Sequence, residues 1–537
     1  MPLSYVEADR SVELRDITVG GVLREAAAEV PDAPALLNGA ADPAERRRWT
    51  YAELLAAAEN VAARLLEHLE PGERLAIWSV NLAEWELVQF GAALAGIPVV
   101  AINPAYTAAE LEYVLGQSGS VAIVLGPPHR GTDPAVELAK VRDRLPALRA
   151  TFTLDAGSDL FASGPPATLP DVDPSSLAMM QYTSGTTGRP KGAMLSHRSL
   201  CNNSRLFNRR LGLDGAGSWV NAMPMFHIGG SSFGAIGSMW SRAAHIITTF
   251  DPALMLELIE TERPAFLPSV PTMLLAMSEH PDFAKRDHSS IQVIMAGSTT
   301  IPAELIRRVE KEWGANFVPC YGQTECSGVI VQGMPTDSPE DKSAWAGRPL
   351  EQVEVRVVEP ATGQVVPHGE VGEFHVRGYT TMDGYFGMPA ETAATLDADG
   401  WLHTGDLGVM DPRGYCQVTG RLKDMIIRGG ENIYPREIED RLVEHPAISE
   451  VAVIGVPDER MGEEVAAVVR LAPGAEPDPE AWRAFAREAL AGPKVPRRWF
   501  VVDAMPTTPS GKIQKFRLPD LLSDPAAARD VTPPRPA

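Results

Sequence analysis

Apolar positions recur with two different periods over much of the chain. Residues 82–95 repeat them at the three-to-four-residue spacing of a helix, whereas residues 99–102 form a short continuous apolar run that is typical of a buried strand. The two patterns alternate between about residues 50 and 330, at the spacing of successive β–α units. This alternation predicts mostly parallel sheets that are covered by helices.

The pattern changes between Trp345 and Gly420. Short alternating segments with frequent glycine and proline predict an antiparallel β subdomain there, and the α/β pattern returns afterwards. We therefore predict an α/β protein whose large N-terminal domain, residues 1–422, combines parallel βα sheets with this β subdomain. A smaller α/β C-terminal domain follows over residues 423–524. Residues 525–537 are rich in proline and alanine, have little to bury, and are predicted to be disordered.

Length, charge and cysteine content narrow the class of protein. A chain of 537 residues exceeds what one hydrophobic core normally serves, which agrees with two domains. The formal net charge of -22 argues against general binding to nucleic acids or anionic membranes. The four cysteines show no CxxC spacing, and the chain shows neither a secretory leader nor an apolar run of membrane-spanning length. We therefore expect a cytoplasmic protein without a membrane span, whose oligomeric state the sequence leaves open.

The segment 182–192 is rich in glycine and hydroxyl side chains. Its glycines permit a tight turn whose amide groups favour an anion, and Lys191 adds a positive charge. The spacing is not that of a Walker A loop, and a plain polar connection is an equally good reading of the segment alone. An apolar run at residues 177–182 precedes it and a helix-like segment at residues 196–200 follows. This order predicts a strand, a glycine loop and a helix that place phosphate beside a helix N-terminus.

Three further segments carry chemistry that suits a nucleoside triphosphate. Tyr321 offers a face for a purine, and Glu325 offers a hard oxygen ligand for the Mg²⁺ that accompanies ATP. Asp406 can accept hydrogen bonds from ribose hydroxyls, and Arg421 follows it after one predicted hairpin. Lys512, on a glycine-bearing turn, can neutralise charge that develops during attack on a phosphate. Each residue alone is more simply a solvated side chain, but their coincidence favours a site.

Together these segments resemble, in the same order, seven motifs of the adenylate-forming superfamily. This superfamily includes acyl-CoA synthetases, aryl-CoA ligases, nonribosomal adenylation domains and luciferase. The resemblance covers nearly the whole chain and consists of residues 182–192, 224–227, 321–325, 404–406, 420–424, 428–435 and 509–513. Seven ordered motifs are a very specific signal.

The resemblance implies a site for ATP and Mg²⁺. The residues that it assigns to the nucleotide are Thr183, Ser184, Gly185, Thr186, Thr187, Lys191, Gly297, Ser298, Cys320, Tyr321, Gly322, Thr324, Asp406 and Arg421. Glu325 and Thr183 are the implied metal ligands. Lys512 corresponds to the lysine that adenylation requires, Thr324 to the contact with the α-phosphate, and His227 to the gate between the acyl pocket and the nucleotide.

The resemblance also implies a reaction in two halves and a mobile C-terminal domain. A carboxylate first attacks the α-phosphate to give acyl-AMP and pyrophosphate, and a thiol then expels AMP. Between the halves the C-terminal domain swings about a hinge at Lys423, which withdraws Lys512. The movement brings residues that line the path of coenzyme A towards the site, namely Arg428, Gly429 and Gly430.

The acyl pocket is the least specific part of the prediction. It is assigned to His227, Gly229 and Gly230, and the small residues 228–232 leave room for a long or bulky acyl group. The same residues equally suit close packing of a helix against a sheet. Fatty, aryl and polycyclic acids therefore all stay open as substrates.

We expect an ATP-dependent carboxylate–CoA ligase that uses ATP, Mg²⁺ and coenzyme A. One alternative is a stand-alone adenylating enzyme that passes its acyl group to the phosphopantetheine thiol of a carrier protein or to an amine. Another is a nucleotide-binding protein without catalysis, which the retention of Lys191, Glu325, Asp406 and Lys512 disfavours.

Overall fold

The computed structural model describes most of the chain. The described residues are 2–129, 131–155, 157–162, 164, 167–183, 189–213, 215, 217–297, 303–429, 431–458, 460–507, 513–524 and 526–533. Within these ranges, no helix is both long enough and apolar enough to cross a bilayer.

The strands are numbered in chain order. They are β1 (Tyr5–Val6), β2 (Pro34–Asn38), β3 (Arg48–Thr50), β4 (Leu75–Trp78), β5 (Val99–Ile102), β6 (Ala122–Leu125), β7 (Ala150–Thr153), β8 (Leu177–Thr183), β9 (Lys191–Ser196), β10 (Ser218–Asn221), β11 (Ala244–Ile247), β12 (Phe266–Ser269), β13 (Val293–Gly297), β14 (Asn316–Gln323), β15 (Gly328–Gln332), β16 (Arg348–Pro349), β17 (Val353–Val358), β18 (Gly372–Gly378), β19 (Leu402–Met410), β20 (Cys416–Arg421), β21 (Ile426–Arg428), β22 (Glu431–Ile433), β23 (Ile448–Asp458), β24 (Gly462–Leu471), β25 (Arg498–Val502) and β26 (Ala528–Asp530).

The helices are of three kinds. The α-helices are α1 (Val19–Glu29), α2 (Tyr51–Leu66), α3 (Ala83–Leu94), α4 (Ala108–Ser118), α5 (Pro134–Ala139), α6 (His197–Leu211), α7 (Gly237–Ser241), α8 (Pro252–Glu262), α9 (Pro271–Ser278), α10 (Ala303–Trp313), α11 (Pro339–Ala344), α12 (Pro389–Thr395), α13 (Pro435–Leu442), α14 (Pro479–Arg487) and α15 (Leu518–Leu522). A π-helix spans Gly229–Ile236, and 3₁₀ helices include Thr324–Cys326 and Leu422–Asp424.

Two sheets of β–α units form the first part of the chain, as the alternating apolar pattern predicts. One has the strand order β7-β6-β4-β5-β8-β9 and the other β16-β15-β14-β13-β12-β10-β11-β2-β3. Their inner strands are parallel, and antiparallel strands lie at both edges of the nine-stranded sheet and at the β9 edge of the other. Strand β5 has the predicted bounds, and α2 begins at a capping box in which Thr50 and Glu53 bond each other's backbone amide groups.

The predicted β subdomain is an antiparallel sheet with the order β1-β17-β18-β19-β20. The remaining six strands, β21 to β26, form a separate sheet with its own buried core around Trp482 and Trp499. Sheet membership changes across the 3₁₀ helix Leu422–Asp424. The predicted α/β class with a large N-terminal and a smaller C-terminal part is confirmed.

The helix predicted at residues 196–200 is confirmed as the start of α6, but its expected position beside the glycine loop is wrong. Lys191 to Ser196 form strand β9, which pairs antiparallel with β8, so the loop joins the two strands of a hairpin. Helix α6 starts at the far end of that hairpin, since Ser196 pairs with Leu177, roughly 17 Å from the loop by the ordinary rise per residue. The sequence pattern did not reveal β9, because this short segment has only two buried apolar side chains, Ala193 and Leu195, at the two-residue spacing of a strand.

The prediction of a disordered tail is wrong for its described part. Ala528 to Asp530 form strand β26, which pairs antiparallel with β25. Composition did not indicate this strand, because a strand at the edge of a sheet needs few apolar side chains of its own. The tail is held by backbone pairing with β25 and by an ion pair of 2.9 Å between Arg498 and Asp530. In addition, the Trp499 amide donates to Thr532 Oγ1 at 3.0 Å.

We predict that Thr532→Val uncovers the Trp499 amide. The variant keeps the size of the side chain but lacks the oxygen that accepts the Trp499 N–H, so hydrogen exchange of this amide should accelerate about tenfold or more. Thr532→Ser, which keeps the oxygen, is the matched control and should exchange nearly as wild type. Equal exchange rates in wild type and Thr532→Val would contradict the tail contact.

Candidate functional site

The carboxyl ends of two strands from different sheets meet at the predicted metal ligands. Thr183 is the last residue of β8, and Glu325 lies in the 3₁₀ helix that follows β14. The Thr183 hydroxyl donates to Glu325 Oε1 at 3.2 Å. The carboxyl edge of a sheet is where ligands of α/β proteins collect. The structure therefore brings the start of the hydroxyl-rich loop and the tyrosine-to-glutamate segment to one place.

Tyr385 completes this contact, although no sequence motif singled it out. Its hydroxyl donates to Glu325 Oε1 at 2.8 Å, and Lys191 Nζ lies 4.9 Å from the centre of its ring. Burial, with the negative charge of Glu325 in addition, raises the pKa of the Tyr385 hydroxyl, so the group stays a neutral donor. Its segment packs on β9, since the Phe386 amide donates to the Gly192 carbonyl. A tyrosine in a glycine-containing loop is too common a pattern to have marked this residue.

The predicted ribose pair lies together and includes the predicted adenine residue. Strands β19 and β20 pair Asp406 with Arg421, and Arg421 Nε lies 3.0 Å from Asp406 Oδ1. The Tyr321 hydroxyl donates to the other oxygen, Oδ2, at 2.8 Å. The charge of Asp406 raises the pKa of Arg421, and burial together with that same charge raises the pKa of the Tyr321 hydroxyl. Asp406 is buried between these two partners, so the position of its carboxylate is fixed from two sides.

Glycines allow the strands to come close at the predicted nucleotide positions. Gly297 pairs with Cys320 across β13 and β14, and a Cβ atom at Gly297 would lie 2.7 Å from the Cys320 carbonyl oxygen. A Cβ atom at Gly322 would lie 1.7 Å from the Gly328 carbonyl oxygen. No side chain fits there without moving backbone. Thr324 follows and begins the 3₁₀ helix that carries Glu325.

His227 is exposed and precedes the π-helix. Its Nδ1 accepts from the Gly229 amide at 3.2 Å, and its carbonyl accepts from the Ser231 hydroxyl at 3.0 Å. Ser231 Oγ in turn accepts from the Gln181 side chain at 2.9 Å, two residues before Thr183 on β8. His227 is thus tied through Ser231 to the strand that ends at the metal-ligand pair.

Close packing accounts for one of the two glycines that were assigned to the acyl pocket. A Cβ atom at Gly230 would lie 2.4 Å from the Pro224 carbonyl oxygen, whereas at Gly229 it would meet the flexible Met223 methyl group at 3.2 Å. The sequence analysis expected small residues here but did not predict a π-helix. Such wide turns occur mostly at functional sites, and Gln89 holds this one by donating to the Ser231 carbonyl.

The residues assigned to the hinge and the thiol path occupy the start of the C-terminal sheet. Lys423 is exposed, but neighbouring groups partly desolvate its ammonium group and thereby lower its pKa. Arg428 forms a buried ion pair with Glu464 on β24. Gly429 has a φ of +60° and its amide donates to the Met461 carbonyl at 2.8 Å. Seven assigned residues lie outside the described part of the chain, namely Ser184, Gly185, Thr186, Thr187, Ser298, Gly430 and Lys512.

Two protein-family models match most of the chain. The model for the AMP-binding enzyme covers residues 23–386, and the model for the AMP-binding enzyme C-terminal domain covers residues 437–512. The first range contains the motifs at residues 182–192, 224–227 and 321–325, and the second contains all but the last residue of the motif at residues 509–513.

Similar proteins extend over nearly the whole length. YngI of Bacillus subtilis is 38% identical and covers 94% of this chain and 97% of its own. The mitochondrial medium-chain acyl-CoA ligase ACSF2 of Mus musculus is 36% identical over 96% of this chain and 89% of its own. Among solved structures, ATP-bound MatB from Rhodopseudomonas palustris has a TM-score of 0.85 at 29% identity and covers 95% of this chain and 99% of its own.

We predict that the Tyr385 hydroxyl matters for nucleotide binding as well as for stability. Tyr385→Phe keeps the ring beside Lys191 but removes a hydrogen bond to a carboxylate, so the free energy of unfolding should fall by about 1.5–3 kcal/mol. Calorimetry should also show ATP binding in the presence of Mg²⁺ weakened about tenfold, because Glu325 loses one of its two donors.

Tyr415→Phe is the matched control for this experiment. It also removes a hydroxyl–carboxylate hydrogen bond, of 2.9 Å to Asp337, but at the β19–β20 turn. It should cost stability and leave ATP affinity at the wild-type value. If the two variants bind ATP with equal affinity, the Tyr385 hydroxyl does not contribute to nucleotide binding.

Proposed function

Because the chain belongs to the AMP-binding enzyme family, we propose that it activates a carboxylic acid with ATP and transfers the acyl group to coenzyme A. The contact between Thr183 and Glu325 carries this proposal, since it joins two motif segments from different sheets at one position. The reaction is that of an AMP-forming acid–thiol ligase. The roles of individual residues follow from the geometry and from the order of the motifs.

The adenosine part of ATP is proposed to bind at the Tyr321, Asp406 and Arg421 cluster. Tyr321 offers its ring to the adenine, and Asp406 accepts from the ribose hydroxyls, since each carboxylate oxygen can accept more than one hydrogen bond. Arg421 holds Asp406 in position. Gly297, Cys320 and Gly322 form the neighbouring wall, where bare backbone lets the nucleotide approach closely, and Ser298 is proposed to contribute to it.

The phosphates are proposed to bind along the hairpin that joins β8 and β9. Lys191 contributes charge at one end of that loop and Thr183 a hydroxyl at the other, with Ser184 to Thr187 between them. Thr183 and Glu325 fit Mg²⁺, because a hydroxyl and a carboxylate 3.2 Å apart are both hard oxygen ligands. When bound, Mg²⁺ would neutralise phosphate charge. Thr324, beside Glu325, is proposed to contact the α-phosphate.

The chemistry is proposed to use positioning and charge neutralisation. A carboxylate oxygen of the acid bonds to the α-phosphorus while the bond to pyrophosphate breaks, and the Lys512 ammonium group stabilises the negative charge that builds up. In the second half the sulfur of the thiol bonds to the acyl carbon, the bond to AMP breaks, and the thiol proton is lost to solvent. His227 would separate the acyl pocket from the nucleotide.

Domain movement is proposed to connect the two halves. We place the domain boundary between residues 422 and 423 and the hinge at Lys423, within the short 3₁₀ helix that links the two sheets. Rotation there would withdraw Lys512 and present Arg428, Gly429 and Gly430 to the pantetheine arm. The positive φ of Gly429 favours glycine at that position, where a Cβ atom would also displace the Met461 methyl group.

A medium-chain fatty acid is the acid that we propose first, because the relative from mouse, 36% identical, is named as a medium-chain ligase. Aryl and polycyclic acids are the alternatives. A carrier-protein thiol or an amine as acceptor is the second candidate function. The cytoplasmic location also stays a proposal, because the mouse relative is named as mitochondrial.

The proposal is tested by measuring AMP and thioester formation over a panel of acids. Straight-chain acids of six to twelve carbons, aryl acids and polycyclic acids are each supplied with ATP, Mg²⁺ and coenzyme A, and then with an amine or a phosphopantetheinylated carrier protein. The proposal expects AMP and acyl-CoA with at least one acid. Acyl-AMP without thioester would favour the second candidate, and no product with any acid would contradict both.

We predict that Lys512→Ala separates the half-reactions. Loss of its charge should slow acyl-AMP formation by about 100-fold or more, as for removal of other charge-stabilising groups, while thioester formation from supplied acyl-AMP stays within about threefold. Lys515→Ala is the control, because Lys515 belongs to the same segment but pairs with Glu439 at 2.6 Å. It should leave both half-reactions near wild type. Equal loss of both in Lys512→Ala would refute this division of roles.

A further inference from the structure

The segment that contains Asp406 is a bulge in strand β19. Glu373 of β18 lies opposite Leu407, and His375 opposite His403, so the single residue between them on β18 faces three residues of β19. These three residues are 404–406, two more than β18 supplies opposite them. The bulge interrupts the pairing with β18, while Asp406 stays paired with Arg421 of β20 and accepts from the Tyr321 hydroxyl.

The bulge depends on one glycine and two hydrogen bonds to β18. Gly405 has a φ of +68°, and no atom lies within 4 Å of where its Cβ would be, so the backbone conformation and not the space requires glycine. The Gly405 amide donates to Glu373 Oε1 at 2.9 Å, and the Thr404 hydroxyl donates to the Phe374 carbonyl at 2.8 Å. Glu373 is therefore the side chain that holds the residue directly before Asp406.

Glu373 is itself fixed by a chain of hydrogen bonds. Arg356 Nη2 lies 3.3 Å from His375 Nδ1, and His375 Nε2 lies 3.2 Å from Glu373 Oε2. A guanidinium group can only donate, so Nδ1 accepts and Nε2 carries the proton that it donates to Glu373. Burial alone would raise the pKa of Glu373, but the hydrogen bonds from His375 and Gly405 lower it, so this buried carboxylate is ionised at neutral pH.

The same cluster has the spacing of a metal site, but its hydrogen bonds argue against that use. Glu373, His375 and His403 present ligand atoms within 4.8 Å of one another. Arg356, however, places a cation beside His375, and both oxygens of Glu373 already accept hydrogen bonds. The His403 ring stacks on His375 at 3.9 Å between centres instead of facing a shared ion. The geometry suits a support for the bulge better than a metal ligand set.

We propose that Glu373 is a positioning residue for the ribose of ATP, which acts by holding Gly405 and thereby the direction of the Asp406 carboxylate. The inference rests on the proposed function, because that function assigns Asp406 to the ribose. It adds the Arg356, His375 and Glu373 chain, none of which belongs to the nucleotide motifs.

The experiment compares AMP with 2′,3′-dideoxy-AMP by calorimetry. The ratio of their dissociation constants measures what the ribose hydroxyls contribute, and it requires neither a known acid nor activity. Wild type should bind AMP about tenfold or more tightly than the dideoxy analogue, as expected for hydrogen bonds to a charged group. Glu373→Ala should bring the ratio close to one and leave the affinity for the analogue within about threefold of wild type.

Two further variants keep the test decisive. His375→Phe removes the donor to Glu373 but keeps an aromatic ring against His403, and it should lower the ratio less than Glu373→Ala does. Glu354→Gln breaks a comparable ion pair, of 2.9 Å to Arg377, on the neighbouring strand β17, and it should leave the ratio at the wild-type value.

The outcomes separate this inference from the proposed function. A wild-type ratio near one would overturn the assignment of Asp406 to the ribose. A large wild-type ratio that persists in Glu373→Ala and in His375→Phe would overturn only the role of Glu373. Should Glu373→Ala fail to fold, the ratio in His375→Phe decides.

Discussion

The hydrogen bond between Thr183 and Glu325 is the contact on which the site depends. It joins the ends of β8 and β14, which belong to two different parallel sheets. Tyr385 strengthens the contact by donating to the same carboxylate oxygen while its ring faces Lys191. The start of the hydroxyl-rich loop and the segment that is proposed to bind adenine therefore meet at one position.

Asp406 makes a similar connection between the β subdomain and the large parallel sheet. It is buried, it accepts from Tyr321 of the large sheet, and it pairs with Arg421 of the next strand. The antiparallel sheet is therefore linked to the parallel one through a charged group. Close to Arg421, the chain leaves this sheet at Leu422–Asp424 and enters the C-terminal sheet, so the proposed adenosine site and the proposed hinge are neighbours along the chain.

Much of the site could be predicted because its residues belong to compact motifs. Thr183, Glu325, Asp406 and Arg421 were each identified from short segments whose chemistry is distinctive, and the structure brings them into two contacts. Tyr385 was not found, since its role arises only from tertiary packing against Glu325. Strand β9, between the glycine loop and α6, was not predicted because a six-residue strand with two buried apolar side chains is too short for a clear period. The strand in the tail was not predicted, because composition indicates how much apolar surface a segment can bury but not whether its backbone pairs at the edge of a sheet.

The central claim is that these segments bind one and the same ATP molecule. A double-mutant cycle on ATP affinity, measured by calorimetry with Mg²⁺ for wild type, Glu325→Gln, Asp406→Asn and the double variant, tests it most directly. The account predicts one ATP per chain in wild type and a loss of affinity for that ATP in each single variant. A second independent nucleotide site, or an affinity that responds to only one of the two substitutions, would contradict it.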